Sequence, residues 1–191
     1  MRRAAASFLQ FAGLTLVIAV LTAFVVTFAA MAIVVQGSSM EPALHDGERV
    51  LVNKLVYGLR PPRRGEIVVF RHERMPGRML IKRVIGLPQE ELSIARGLVS
   101  VSGAPLVEDY ITERSVEDHG PVYVPLGRVF VLGDNRNHSH DSTDASFGTV
   151  PLHGIEGKAF AVYWPLTNAR VCRDPSYPEA AEAVTRARGA P

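Results

Sequence analysis

A chain of 191 residues has room for one folded domain and one further segment, and a formal net charge of only +2 lacks the electrostatic footprint of a nucleic-acid binder. Cys172 is the only cysteine, which excludes an internal disulfide framework. Burial alone must hold the core, and about 150 residues suffice for that.

The first element is apolar. No charge occurs between Arg3 and Glu41, and Phe11 to Val35 is nearly continuous Ala, Val, Leu, Ile and Phe. A helix over 11–35 rises about 37 Å at ~1.5 Å per residue, enough to cross a ~30 Å hydrocarbon core with some tilt. A cleaved secretory signal, processed near "AAMA" at Ala29 to Ala32, is the competing reading, but its apolar region would run only about 7–15 residues. The length favours a retained transmembrane helix behind a short N-terminus, 1–10. Arg2 and Arg3 precede the span and every acidic residue follows it, so the rest of the chain carries 19 basic and 19 acidic residues. Positive flanks stay inside, which places the N-terminus in the cytoplasm and the domain over 36–172 outside the plasma membrane, on a single pass through the lipid bilayer.

Beyond the span, short β-branched stretches recur between Gly, Pro and charged turns: "RVLVNK", "EIVVF", "MLIKRVIG", "ELSI", "LVSV", "VYVP", "RVFVL" and "KAFAVYW". Too short for helices, they predict a mostly β domain. Arg96-Gly97 and Ser102-Gly103 bracket one strand as hairpin turns. "RPPRRG" at Arg60 to Gly65 reads as a stiff turn, Glu108 to Gly120 as a solvated acidic loop, and 173–191 as a polar tail.

Candidate chemistry starts at "QGSSMEPAL", where two serines follow the span. A serine nucleophile needs a base, and the chain offers two kinds. Period two in "MLIKRVI" sets Lys82 between Leu80 and Val84 on one strand face, where burial would lower its pKa toward that of a general base; a lysine snorkelling to water is the alternative. "GDNRNHSHDS" offers His138 and His140 with Asp134, Asp141 and Asp144 nearby, but neither a third metal ligand at proper spacing nor a G-x-S-x-G elbow accompanies them. Taken alone, that segment reads as a polar turn.

In order, "SSMEPAL", "RGEIVVF", "IKRVIGLPQE", "VLGDNRNHSHDS" and "FGTVPLHGIEGKAFAVYWP" resemble the blocks of bacterial type I signal peptidases, from about Gln36 to Pro165. The resemblance implies a β-rich, membrane-bound endopeptidase that removes signal peptides from exported preproteins after Ala-x-Ala, with neither cofactor nor metal and with the secretion translocon as a further partner. It implies Ser39 as nucleophile, Lys82 as base, Ser139 as the hydroxyl that orients the lysine amine, and Asp141 with Ser142 as support. Gly37, Ser38, Met40 and Pro42 fall beside the oxyanion and substrate, with Leu44 and the "EIVVF" strand as further walls. The chain departs from the pattern at Gly37, which carries no hydroxyl as a second oxyanion donor, and at Thr143, where many members have the arginine that pairs with Asp141; Arg136 is then the candidate partner. A tethered β domain that binds partners without chemistry, a Ser-His variant of the peptidase and a self-cleaving Ser-Lys protease of the repressor type are the competing readings.

Overall fold

The structure, a computed structural model, describes residues 2–178. Helix α1 (Arg2–Phe28) leads into strands β1 (Ala30–Val34) and β2 (Arg49–Asn53). One helical turn, α2 (Val56–Leu59), connects to β3 (Ile67–His72) and the long β4 (Met75–Gly86). Strands β5 (Glu91–Ala95), β6 (Leu98–Val101), β7 (Ala104–Pro105) and β8 (His119–Tyr123) follow, then β9 (Arg128–Leu132), β10 (Val150–Pro151), β11 (Ile155–Trp164) and β12 (Arg170–Val171). The pairings are antiparallel, as short connections allow. One sheet runs β1-β2-β11-β3-β4-β9-β10 with β12 on β11; the other runs β7-β6-β5-β8.

The mostly β domain therefore agrees with the sequence. Arg96 and Gly97 (φ 50° and 73°) and Ser102 and Gly103 (φ 50° and 81°) take the left-handed conformation that two-residue hairpin turns demand. Fully buried Val50, Val52, Val69 and Met40 pack in one core cluster, Val68, Phe70, Val84 and Val131 in a second, and Ile85, Leu92, Val99 and Val101 in a third beneath the smaller sheet. These three clusters grip β4 on both faces, and its last six residues are all buried.

The expected helix over 11–35 is corrected at its C-terminal end. Helix α1 stops at Phe28, and residues 30–34 form the edge strand β1, with Met31 opposite Val52 and Ile33 opposite Val50. Apolar runs do not by themselves distinguish helix from strand, and here Ile33, Val34 and Val35 find a strand to pair with. Among the described residues no helix is long and apolar enough to cross a membrane. On α1, Phe11, Leu14, Leu16, Val17, Ile18, Val20, Leu21 and Phe24 are each more than half exposed.

At the other end, part of the expected polar tail belongs to the domain. Tyr177 is buried in the cluster beneath the smaller sheet, and Arg173 and Asp174 bond to residues of the larger one. The rest of the tail, from 179 onward, lies outside the described residues.

Candidate active site

Strand β1 delivers the chain to a tight turn. Val35 N–H donates to Glu48 O and Gly47 N–H to Val35 O, at 2.8 and 3.0 Å, and the Gly37 N–H donates to Asp46 Oδ1 at 2.7 Å. Met40 and Leu44, both fully buried, plug the far side of the turn into the core. Ser39, between the pinned Gly37 and the plugged Met40, has little freedom.

Lys82 reaches it from the middle of β4. Its Nζ lies 2.6 Å from Ser39 Oγ although 43 residues separate the two in sequence. The lysine is only 5% exposed. Burial lowers the ammonium pKa from its ordinary 10.5, against the opposing pull of the Asp141 and Asp134 carboxylates. An amine so placed is suited to accept the serine proton.

The segment Gly133 to Thr143 backs this pair. Asn135 donates its N–H to Ser39 O at 3.1 Å and its side-chain amide to Ser38 O at 3.2 Å. The sequence alone marks this asparagine only as part of a turn; its place directly after Gly-Asp in "GDNRNHSHDS" is the available signal. Asp134 and Arg83 form a buried two-armed ion pair at 2.8 and 2.6 Å. Arg83 also donates to Gly65 O at 2.7 Å and lies over the Tyr110 ring, so the strand is locked on the face opposite Lys82.

The supporting residues sit close by, with altered contacts. Ser139 Oγ is buried and has no hydrogen-bond partner among the described residues. The bond to the lysine amine that the resemblance implies is not made here: Ser139 follows a 3₁₀ turn in extended conformation and lies against Gly133. Asp141 accepts the Gly133 N–H at 2.9 Å through one oxygen, and the Thr143 N–H and hydroxyl at 3.2 and 2.9 Å through the other. Thr143 is thus its partner and Arg136 is not; Arg136 instead pairs with Glu108. Ser142 Oγ accepts the Val131 N–H at 3.0 Å, joining the segment to β9.

The residues expected beside the substrate take different places. Met40 and Leu44 are core residues and Gly37 spends its N–H on Asp46, while Pro42 is exposed and Ser38 offers its carbonyl to Asn135. In place of the "EIVVF" strand, which is buried, Ile33, Val34 and Gln36 face residues 77–82 of β4 across a cleft of about 720 Å³ that contains Ser39 and Lys82. His138 Nδ1 faces Asn135, and His140 Nε2 faces Asp144 and Ser146, so neither imidazole is engaged with Ser39.

Comparison with known proteins gives a consistent result. The family described as "Signal peptidase, peptidase S26" matches residues 8–164. A probable signal peptidase I-2 of Synechocystis sp. is 40% identical over 94% of this chain and 84% of its own. Signal peptidase I T of Bacillus subtilis is 36% identical over 83% and 86%. A crystal structure of a signal peptidase I from Enterococcus faecalis V583 is 32% identical, covering 52% of this chain and 97% of that one, with a TM-score of 0.46. On the family match and these two relatives, the chain belongs to the signal peptidase family, peptidase S26, and is a serine endopeptidase.

Proposed function

We propose that this peptidase is anchored at the plasma membrane through its apolar N-terminal segment and cleaves signal peptides from exported preproteins after small residues, Ala-x-Ala, with Ser39 as nucleophile and Lys82 as general base. The single observation that carries this reading is the 2.6 Å approach of the buried Lys82 amine to Ser39 Oγ at the foot of an open cleft.

Chemistry follows from that contact. Neutral Lys82 takes the Ser39 proton as Oγ attacks the scissile carbonyl, then passes it to the leaving amine, and the Ser39 ester remains. Water loses a proton to the same amine and cleaves the ester. The tetrahedral oxyanion needs donors at about 2.7–3.1 Å. The Ser39 N–H has no acceptor among the described residues and is free to serve, whereas the Gly37 N–H is occupied by Asp46.

The cleft suits an extended peptide. Among the described residues β1 pairs only with β2, and β4 pairs with β9 only over its last residues, so two strand edges with unpaired backbone groups face each other. A peptide laid between them gains main-chain hydrogen bonds as an added strand, and its alternate side chains meet Ile33, Leu80 and Ile81. That aliphatic lining would favour small side chains next to the cut. The exposed apolar side chains from Phe11 to Phe24, with Arg2 and Arg3 ahead of them, support an anchor with a cytoplasmic N-terminus and an extracytoplasmic domain, where preproteins leave the translocon.

The test is processing, in lipid vesicles, of a preprotein with an Ala-x-Ala site and of the same preprotein with Leu at the residue before the cut. Cleavage of the first and at least a hundredfold slower cleavage of the second are expected; equal cleavage would contradict the assigned specificity.

A further inference from the structure

From Tyr177, Tyr110 and Glu108, outside the family blocks, a buried hydrogen-bonded chain runs toward the site. The Tyr177 hydroxyl donates to the Tyr110 hydroxyl at 3.0 Å, and Tyr110 donates to Glu108 Oε1 at 2.5 Å. Glu108 grips the Arg136 guanidinium with both oxygens, at 2.8 and 2.5 Å, and the two side chains are 5% and 2% exposed. Arg136 Nε then donates to Gly133 O at 3.1 Å. Gly133 is the pivot of the site: its N–H is held by Asp141, and a Cβ there would strike Ser139 Oγ and Ser39 O. Glu108 opens the acidic loop that sequence reasoning assigned to solvent, and Tyr177 lies beyond the family match, which ends at 164.

We propose that Glu108, seated by Tyr110 and Tyr177, is a positioning residue for catalysis that holds Gly133, and through it the Ser39 turn, by way of Arg136. The proposal rests on the Ser39–Lys82 reading of the site. A bidentate pair fixes a guanidinium in angle as well as distance, and a buried charge stripped of its partner moves to find another. A freed Arg136 is drawn toward Asp134, whose carboxylate already feels the Arg136 charge and is paired with Arg83 beside the site.

The experiment compares Glu108→Gln, Glu108→Asp and Tyr177→Phe with the exposed neighbour Asp109→Asn and with Lys82→Met, in detergent-solubilised full-length enzyme. E108Q is expected to lower kcat by ten- to a hundredfold with KM within twofold, E108D to recover most of that loss, Y177F to lower kcat two- to fivefold, and D109N to match wild type. The acid limb of kcat should move to higher pH in E108Q, because a loosened turn admits water to the Lys82 amine while the facing Asp141 and Asp134 carboxylates remain; a variant that is merely less stable would leave the limb in place. Wild-type kcat and limb in E108Q, with K82M inactive, would overturn the proposal and leave the dyad intact. Full activity in K82M would instead overturn the dyad on which it rests. Should E108Q fail to fold, Y177F decides: an unchanged kcat and limb there overturn the proposal.

Discussion

Asn135 holds Ser39 by its main-chain carbonyl at 3.1 Å, and with its side-chain amide it holds the preceding carbonyl of Ser38 at 3.2 Å. Ser39 is therefore fixed through its backbone by the same segment that carries Asp134, Ser139 and Asp141. In Asn135→Ala the N–H bond to Ser39 survives and the side-chain bond to Ser38 is lost. A net hydrogen bond is worth about 0.5–1.5 kcal/mol, so kcat should fall about three- to tenfold with only a small change in Tm. Steady-state kinetics beside a thermal melt checks this.

Gly133→Ala should be far more damaging. An added Cβ meets Ser139 Oγ and the Ser39 carbonyl, and the second of these is backbone that cannot swing aside. With Ser39 as the proposed nucleophile, a displacement of about 1 Å can cost about 10²-fold in rate, and that is the expected loss in kcat for whatever fraction folds. Activity per folded molecule, with folding followed by circular dichroism, is the measurement.

Burial of Lys82 has opposite consequences for activity and for stability. Its pKa is lowered in the fold, so the unfolded chain binds the proton more tightly at any pH between the folded value and the ordinary 10.5. Over that window stability rises with pH, and below it the full penalty of burying an amine applies. Lys82→Met removes the titrating group and the penalty. The variant should be inactive yet melt higher than wild type at neutral pH, with the difference shrinking as pH approaches 10.5.

Glu66 gives the reverse sign. It is 2% exposed, and although burial pushes its pKa up, bonds from Arg60, the Arg63 N–H and Lys158 outweigh this and bring it from 4.5 down to about 2. A depressed carboxylate contributes stability above its unfolded pKa and loses it as pH falls toward the folded value. Glu66→Gln should therefore be less stable than wild type by roughly 3 kcal/mol at pH 7, and the gap should close between about pH 4.5 and 2. Urea titrations at several pH values test both halves of the statement.

Much of the fold is legible in the sequence because strands such as "RVFVL" and "LVSV" carry β-branched residues between turns whose Gly residues need left-handed backbone. β1 was hidden, since "AMAIV" continues the apolar run of α1 and nothing in hydropathy marks where helix becomes strand. The site divides in the same way. Period two places Lys82 on an aliphatic face, but its meeting with Ser39, 43 residues away, came only through the family resemblance. Pairings such as Arg83 with Asp134 or Glu108 with Arg136 join segments 51 and 28 residues apart, and no local pattern encodes them. Thr143 illustrates the limit from the other side: its departure from the family pattern was visible, while its capacity to bond Asp141 by both N–H and hydroxyl needed the folded turn.

The proposed Ser39–Lys82 dyad is tested most directly by cleavage of an Ala-x-Ala preprotein in detergent by wild type, Ser39→Ala, Lys82→Met and Ser38→Ala. Loss of cutting in the first two variants by at least a thousandfold, with Ser38→Ala within tenfold of wild type, is the predicted result. Undiminished cutting by Lys82→Met or by Ser39→Ala would contradict the account.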